Sequence, residues 1–182
     1  PGPFDYQRGI SEIIGVQKYE SIFGFNIRQA FEYVQKGVKL PVTFINDASG
    51  FAIGEHVAGA AQHSIRTITV TLGTGFGSTF LINGVPQTIG EGVPELGFLY
   101  HYPVGNSIAD DYFSTRWFTN TWLQKTGKEI KGVKELAEKA RNNDPIALYI
   151  FNEFAESLGN FISHWFGVFS PDTFVIGGNI SK

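Results

Sequence analysis

Residues 66–84 read RTITVTLGTGFGSTFLING, and this stretch decides the fold class. The β-branched residues of its first part predict a buried strand over Arg66–Leu72. A second strand is predicted over 79–82, and Asn83-Gly84 is the dipeptide typical of a two-residue hairpin turn. Together these segments predict an antiparallel hairpin meander.

Helical and strand patterns alternate along the rest of the chain, which predicts an α/β fold. Apolar residues recur at helical spacing in five segments, which are 26–36, 48–62, 106–124, 133–141 and 145–169. Short β-rich runs predict two further strands, at 41–45 and 173–176. The opening through Phe25 is rich in glycine, proline and aromatic residues, which predicts loops with short extended pieces.

The composition limits the classes of partner and chemistry. The 182 residues include 17 acidic and 14 basic side chains, so the net charge of -3 does not draw the chain to nucleic acid or anionic lipid. The absence of cysteine excludes disulfides, iron–sulfur clusters, thiolate zinc sites and a cysteine nucleophile. No apolar run has the length of a membrane helix. We therefore expect a cytoplasmic protein without a membrane partner.

The chain contains no methionine, even at position 1, and it opens Pro1-Gly2-Pro3. A native translation start supplies a methionine. We therefore expect this chain to be a fragment of a longer protein.

The glycine-rich segment Gly73-Thr74-Gly75-Phe76-Gly77 has two interpretations. Its backbone N–H groups and the Thr74 hydroxyl can hold a phosphate, because glycines allow an anion to approach the backbone closely. Alternatively, it is a plain hairpin turn whose glycines make room for tight packing. It matches neither the P-loop nor the dinucleotide fingerprint, since a strand and not a helix is predicted after it.

The dipeptide Asn46-Asp47 follows a predicted strand and precedes a predicted helix, a position where ligands bind in α/β sheets. There a carboxylate can take a proton from a substrate hydroxyl, and the neighbouring amide can bind the same polyol. The alternative is an ordinary helix N-cap.

Glu91 and Glu95 lie in a segment with too many glycines for a regular helix, EGVPELG at 91–97. A carboxylate held there can accept hydrogen bonds from sugar hydroxyls, although a loop glutamate is more often solvated.

Histidines and basic residues predict no further site. The histidines have no metal-ligand spacing; they are His56, His63, His101 and His164. The lysines of 125–139 alternate with glutamates, which is typical of a solvated helical face.

The ordered set of motifs resembles the ROK family of sugar kinases and sugar-responsive repressors. The set comprises Pro1-Gly2-Pro3 with Asp5 and Gly9, Pro41-Val42, Asn46-Asp47-Ala48, Gly54-Glu55, the segments 71–77 and 92–97, Pro171-Asp172, and 175–178. The family belongs to the sugar kinase, actin and heat-shock ATPase superfamily. The resemblance implies an actin-like ATPase (ribonuclease H-like) fold of two lobes, with 1–62 ending the first lobe and 63–182 forming most of the second.

The resemblance also implies roles for single residues. Asp47 matches the catalytic base, while Asn46, Glu95 and Asp110 match sugar-binding residues. Gly73, Thr74 and Gly75 match the second phosphate loop, and Gly177 with Gly178 the start of the adenosine turn. The implied cofactors are ATP and the Mg²⁺ that the nucleotide carries, the substrate is a hexose or related sugar, and the implied assembly is a homodimer.

Departures from the family pattern affect the sugar site and a zinc element. Phe98 stands where the family has histidine. His101, three residues later, has two interpretations, a substitute for that histidine or a buried or surface residue in a tyrosine-like role, and the second is favoured. The segment 102–107 replaces the cysteine-rich zinc element, so no structural zinc is expected. Asp110 replaces a longer glutamate. Which sugar is bound stays open.

Three functions remain after this reasoning. The first is an ATP-dependent hexose kinase of the glucokinase type, active only in the longer parent protein. The second is a non-catalytic sugar-sensing transcriptional regulator, which would bind nucleic acid only if a helix-turn-helix precedes the chain. The third, supported only by the altered histidine and zinc segment, is a degenerate interaction protein.

Overall fold

The computed structural model describes residues 3–14, 19–35, 37–38 and 40–181. The chain divides into two compact units, Pro1–Gly50 and Phe51–Lys182. The division falls within a helix, α2 (Asp47–Ala58). The lobe boundary expected near residue 62 stays a prediction. In the described part of the chain, every helix is too short or too polar to cross a membrane.

The described residues of the first unit include a small antiparallel pair, a 3₁₀ turn at Glu20–Ile22 and a helix. The pair consists of β1 (Phe4–Asp5) and β2 (Ile10–Ser11). The helix α1 (Ile27–Val34) confirms most of the helix predicted at 26–36, whose last residue, Lys36, is not among the described residues. Asn26 caps it, since its Oδ1 accepts a hydrogen bond of 3.0 Å from the Gln29 amide.

The strand predicted at 41–45 is wrong, because this segment pairs with no strand in the described part of the unit. Its side chains still alternate as in a strand, with Val42 and Phe44 half-buried and their neighbours exposed. The Arg28 guanidinium donates to the Val42 carbonyl, a group that a ladder would otherwise use. The Phe44 ring packs against Phe4, with 5.0 Å between the ring centroids. Side-chain contacts therefore hold this extended segment.

The second unit is built on a four-stranded sheet that confirms the predicted hairpin. Its strands are β3 (Arg66–Leu72), β4 (Phe76–Ile82), β5 (Val85–Pro86) and β8 (Thr173–Gly177), in the order β5-β4-β3-β8. The β4–β5 turn has positive φ at both central residues, 49° at Asn83 and 76° at Gly84, as a type I′ hairpin requires. β8 runs parallel to β3.

A helical layer covers this sheet. The predicted helices at 133–141 and 145–169 are confirmed as α5 (Val133–Arg141) and α6 (Pro145–Phe169). α6 starts where it does because Asp144 caps it, accepting hydrogen bonds of 2.9 and 3.0 Å from the amides of Ile146 and Ala147. One apolar face of α6 is buried in the core. The helix predicted at 48–62 is the shorter α2, which ends four residues early.

The helix predicted at 106–124 is wrong as a single element. A small hairpin of β6 (Pro103–Val104) and β7 (Ser107–Ile108) precedes two separate helices, α3 (Ala109–Tyr112) and α4 (Thr115–Thr126). The helical conformation is interrupted at Phe113, which has non-helical backbone angles and a fully buried ring. Burial of this ring in the aromatic core replaces the continuous helix that local periodicity favours.

Asp172 fastens the start of β3 to the start of β8. Its carboxylate accepts hydrogen bonds from the Ser64 hydroxyl and from the amides of Ile65 and Arg66, the latter two at 2.8 and 3.1 Å. These bonds, the Ser64 bond foremost, hold the pKa of Asp172 below its ordinary value. The ionised carboxylate is therefore part of the folded structure.

Replacing Asp172 with asparagine removes the charge that these hydrogen bonds stabilise, so the free energy of unfolding at pH 7 should fall. The loss is limited to about 1 kcal/mol, because the carboxylate is exposed and solvent screens it. A lowered folded-state pKa contributes stability above the unfolded pKa of about 3.9, and this contribution is lost as the pH falls through the folded value. The difference between wild type and Asp172→Asn should therefore shrink below about pH 4. Denaturant unfolding at a series of pH values measures it. Glu138→Gln, on the exposed side of α5, is the control, and an equal effect from both variants would contradict this role.

Candidate functional site

The two glycine-rich turns predicted to bind nucleotide lie together at one edge of the sheet, the edge at which the strands β3 and β8 end. β3 and β8 are parallel and end side by side, with Thr71 paired to Gly177. Gly178 follows with a φ of +95° and packs directly on the backbone of Leu72, so any side chain at this position would collide with it. The edge is the carboxyl end of two parallel strands, where ligands of α/β sheets commonly bind.

Thr115, the first residue of α4, holds the turn between β3 and β4 at its first glycine. The Gly73 carbonyl accepts hydrogen bonds from the Thr115 amide at 2.8 Å and the Thr115 hydroxyl at 3.0 Å. Across the turn, the Gly73 amide donates to the Gly75 carbonyl at 3.1 Å. Thr74 lies exposed at the tip. The turn is therefore a fixed structure with one exposed hydroxyl side chain.

Asp110 lies beside this turn. Its Oδ1 accepts a hydrogen bond of 2.7 Å from the Phe76 amide, and its Oδ2 pairs with the Arg116 guanidinium at 2.7 Å. The hydrogen bond to Asp110, with a smaller contribution from Asp111, raises the pKa of Arg116. A Cβ atom on Gly75 would come within 2.7 Å of Asp110 Oδ1, which explains the glycine there. The sugar contact predicted for Asp110 stays a prediction.

Glu95 begins a short 3₁₀ turn, Glu95–Gly97, and its side chain is exposed. The Glu95 amide donates to the Tyr102 hydroxyl at 3.1 Å. The Tyr102 ring packs edge-on against buried Trp165, with 5.1 Å between the ring centroids. The Leu99 amide donates to the Ser78 hydroxyl on β4 at 2.8 Å. The turn that carries Glu95 is thus fastened to the core at two points.

Phe98 and His101 form part of an aromatic row beside the Glu95 turn. The His101 ring lies between Tyr100 and Tyr102, at centroid distances of 5.0 and 4.9 Å. Its Nδ1 is buried and has no hydrogen-bond partner among the described residues. Phe98 is half-buried near Tyr100. His101 therefore packs as an aromatic ring, and a role as substitute for the family histidine stays a prediction.

Asn46 and Asp47 occupy different positions at the start of α2. Asn46 is the cap, since its Oδ1 accepts a hydrogen bond of 3.1 Å from the Ser49 amide and its carbonyl accepts one of 2.8 Å from Gly50. Asp47 is the first residue of the helix, and its side chain is exposed. The capping role left open by the sequence thus belongs to Asn46.

A cavity of about 580 Å³ lies against the turn that follows Gly178. Asn179 and Ile180 form one wall, and the opposite wall comes from Phe151 of α6 and residues of α5, including Lys134 and Arg141. Its volume is within the range of small-molecule sites. Sequence reasoning missed it, because the alternating charges of α5 indicated only a solvated face. The Gly177-Gly178 motif just before Asn179 was the available signal.

The described residues include no group of three histidine, aspartate or glutamate side chains placed to hold a metal ion. His101 and His164 are both neighbours of aromatic rings, Tyr102 and Trp165 respectively.

The ROK family model matches residues 24–182. The chain belongs to the ROK family. Among curated proteins it is 26% identical to the glucokinase of Thermotoga maritima over 158 residues, which cover 75% of this chain and 50% of the relative. It is 27% identical to the N-acetyl-D-glucosamine kinase of Haemophilus influenzae over an alignment of 208 positions, which covers 100% of this chain and 64% of the relative. The chain thus spans about half to two thirds of the length of these relatives.

Solved structures show the same fold. A glucokinase from Parabacteroides distasonis matches all of this chain and 55% of its own, with a TM-score of 0.77 and 26% identity. The ROK hexokinase of Thermus thermophilus matches all of this chain and 61% of its own, with a TM-score of 0.78 and 24% identity. The predicted α/β fold of the actin-like ATPase type is therefore confirmed for this ROK chain.

Removing the Tyr102 hydroxyl tests the sugar-binding role that the family resemblance implies for Glu95. Tyr102→Phe keeps the ring on Trp165 but leaves the Glu95 amide without its acceptor, so the Glu95 turn loosens. We expect the KM for sugar of the full-length protein to rise about 3- to 10-fold, as the loss of one hydrogen bond implies.

Tyr100→Phe is the matched control, because no hydrogen bond of the Tyr100 hydroxyl is found in the described part of the chain. Steady-state kinetics with varied sugar measure the effect. Equal KM values for wild type and Tyr102→Phe would show that this hydroxyl does not position Glu95.

Proposed function

We propose that the protein containing this chain transfers a phosphoryl group from ATP to a hexose or related sugar. Sugar kinases are prominent among the relatives of this chain, including glucokinases, β-glucoside kinases and an N-acetyl-D-glucosamine kinase. The observation that carries the proposal is the packing of Gly178 on Leu72, which puts both glycine turns at one sheet edge beside a cavity. Phosphoryl transfer depends mainly on such positioning and on neutralisation of charge.

The residues at this edge fit a nucleotide. The glycines at 73 and 75 and the Thr74 hydroxyl would hold its phosphates, and Gly177 with Gly178 would line the adenosine. The adjoining cavity has apolar walls at Phe151 and Ile180 for a planar base, with Lys134 and Arg141 at its polar side. A solved ROK glucokinase from Streptomyces griseus, described in complex with glucose and AMPPNP, shares the fold. Bound ATP with its Mg²⁺ would supply the transferable phosphoryl group.

Sugar recognition is assigned to three polar side chains. Asp47 would accept the proton of the reacting hydroxyl, because its exposed side chain is accessible to a substrate. The Oδ1 of Asn46 is engaged by the Ser49 amide, so its Nδ2 is the group that would donate to a sugar oxygen. Glu95 would accept hydrogen bonds from sugar hydroxyls.

The remaining parts of the proposal concern the whole protein. We expect it to be a cytoplasmic homodimer without structural zinc. Sedimentation analysis of the full-length protein and metal analysis after purification test these expectations.

A second candidate function is sugar sensing without catalysis, which the existence of a ROK family regulator with the same fold favours. A ROK family transcriptional regulator matches all of this chain and 48% of its own, with a TM-score of 0.76 at 19% identity, a likeness of fold alone. Calorimetric sugar binding by a full-length protein that consumes no ATP with any hexose or aminosugar would favour this candidate.

Asp47→Asn is expected to reduce the rate of phosphorylation by about 10²- to 10⁴-fold, the usual contribution of a general base. The fold should persist, because Asn46 and not Asp47 caps α2, and loss of the charge at the helix start costs only about 0.3–1 kcal/mol. A coupled assay of ADP release by the full-length protein, with a panel of hexoses and aminosugars, measures the rate.

Glu32→Gln, an exposed carboxylate of α1 in the same unit, is the control for loss of one negative charge. It should leave the rate within about twofold of wild type. Full activity of Asp47→Asn would show that Asp47 is not the catalytic base.

A further inference from the structure

Asp110 contacts the β3–β4 turn through one carboxylate oxygen and pairs with Arg116 through the other. Oδ1 accepts from the Phe76 amide at 2.7 Å, which is the first backbone donor of β4 after the turn. Oδ2 is paired with Arg116 Nη2 at the same distance of 2.7 Å. The side chain is only 27% exposed. Each oxygen already accepts one charge-assisted hydrogen bond, the stronger class, so only the remaining lone pairs are available to a sugar hydroxyl.

The segment that contains Asp110 makes a second contact with the turn. Thr115, five residues after Asp110, donates its amide and its hydroxyl to the Gly73 carbonyl at 2.8 and 3.0 Å. The turn is therefore held at its first residue by Thr115 and at its exit by Asp110. Gly75, between them, has no room for a side chain because Asp110 Oδ1 fills that space.

Arg116 orients the Asp110 carboxylate. Its Nη2 contacts Asp110 Oδ2 and also Asp111 Oδ1, the latter at 3.1 Å. The guanidinium is shared by two carboxylates, so it offsets part of their negative charge beside the turn. Half of the Arg116 side chain is exposed.

We propose that Asp110 is a positioning residue of the phosphate-binding turn, oriented by Arg116, and that it governs affinity for the nucleotide and not for the sugar. The proposal deepens the proposed function and rests on it, since it takes the turn to be the site of the ATP phosphates. It replaces the sugar contact expected from the resemblance. Asp110 is one methylene shorter than the glutamate of the family pattern, and its carboxylate reaches the backbone of the adjacent turn.

Asp111 provides a matched control. It is the neighbouring acid, it pairs with the same arginine, and its other oxygen accepts from the Ser107 hydroxyl. Its contacts in the described residues do not include the turn. Asp111→Asn therefore removes the same charge from the same surface without touching the turn.

The experiment compares the full-length wild type with Asp110→Ala, Asp110→Asn and Asp111→Asn. We expect Asp110→Ala to raise the KM for ATP about tenfold and to leave the KM for sugar within about twofold, because a charge-assisted hydrogen bond to the turn is lost. Asp110→Asn keeps an acceptor oxygen for the Phe76 amide and should have a smaller effect on ATP. Asp111→Asn should change neither constant. Circular dichroism checks that each variant is folded. If Asp110→Ala does not fold, Asp110→Asn tests the proposal instead.

A raised KM for sugar with an unchanged KM for ATP would overturn the proposal and restore Asp110 to the sugar site. Unchanged constants for both substrates would also overturn it. If the wild type transfers no phosphoryl group, ATP binding is measured directly by calorimetry. Weaker ATP binding by Asp110→Ala would then support the role of Asp110 while the proposed kinase function fails, and absence of ATP binding by the wild type would overturn both.

Discussion

The parallel pairing of β3 with β8 is the constraint on which the second unit depends. The two strands are separated by about a hundred residues of sequence, yet their backbones meet from Thr67 opposite Thr173 to Thr71 opposite Gly177. This register places the turn after β3 and the glycines after β8 at one edge. A shift by one residue would move Gly178 away from Leu72 and turn each side chain of β8 to the opposite face. The site therefore requires the register, and the register requires two small residues at the end of β8.

A buried phenylalanine connects this edge to the helical layer. The ring of Phe113 packs against Phe76 at the start of β4 and against Phe161 of α6, with centroid distances of 5.3 and 5.2 Å. Asp110 and Thr115 lie on either side of Phe113 in sequence, and both bind the β3–β4 turn. Burial of one ring thus breaks the helix predicted there and brings two polar side chains to the turn. The break in the helix is what shapes the site.

The sequence predicted the elements whose signals are local and failed where distant contacts decide. β3, α5 and α6 carry their periodicity within a few residues, α6 also has its Asp144 cap, and each was predicted with correct bounds or nearly so. The extended segment at 41–45 has the right alternation, but a ladder needs a partner, and the Arg28 side chain bonds its Val42 carbonyl. The motifs identified the residues of the candidate site by type and order. Their contacts, such as the Tyr102 hydroxyl on the Glu95 amide, depend on packing that no local pattern records.

One carboxylate binds the start of β3 and another binds the start of β4, at opposite ends of the hairpin, and the two differ in what surrounds them. At the amino end of β3, Asp172 accepts from the Ser64 hydroxyl and two amides, with no cation among the described partners, so hydrogen bonds alone lower its pKa. Asp110, at the opposite end, accepts one amide and is paired with Arg116, which it shares with Asp111. On the proposed function a phosphate would bind beside Asp110, where an unpaired anion would repel it by Coulomb's law. The arginine lies at the end where the glycine turns meet, and there it offsets part of the negative charge of the two carboxylates.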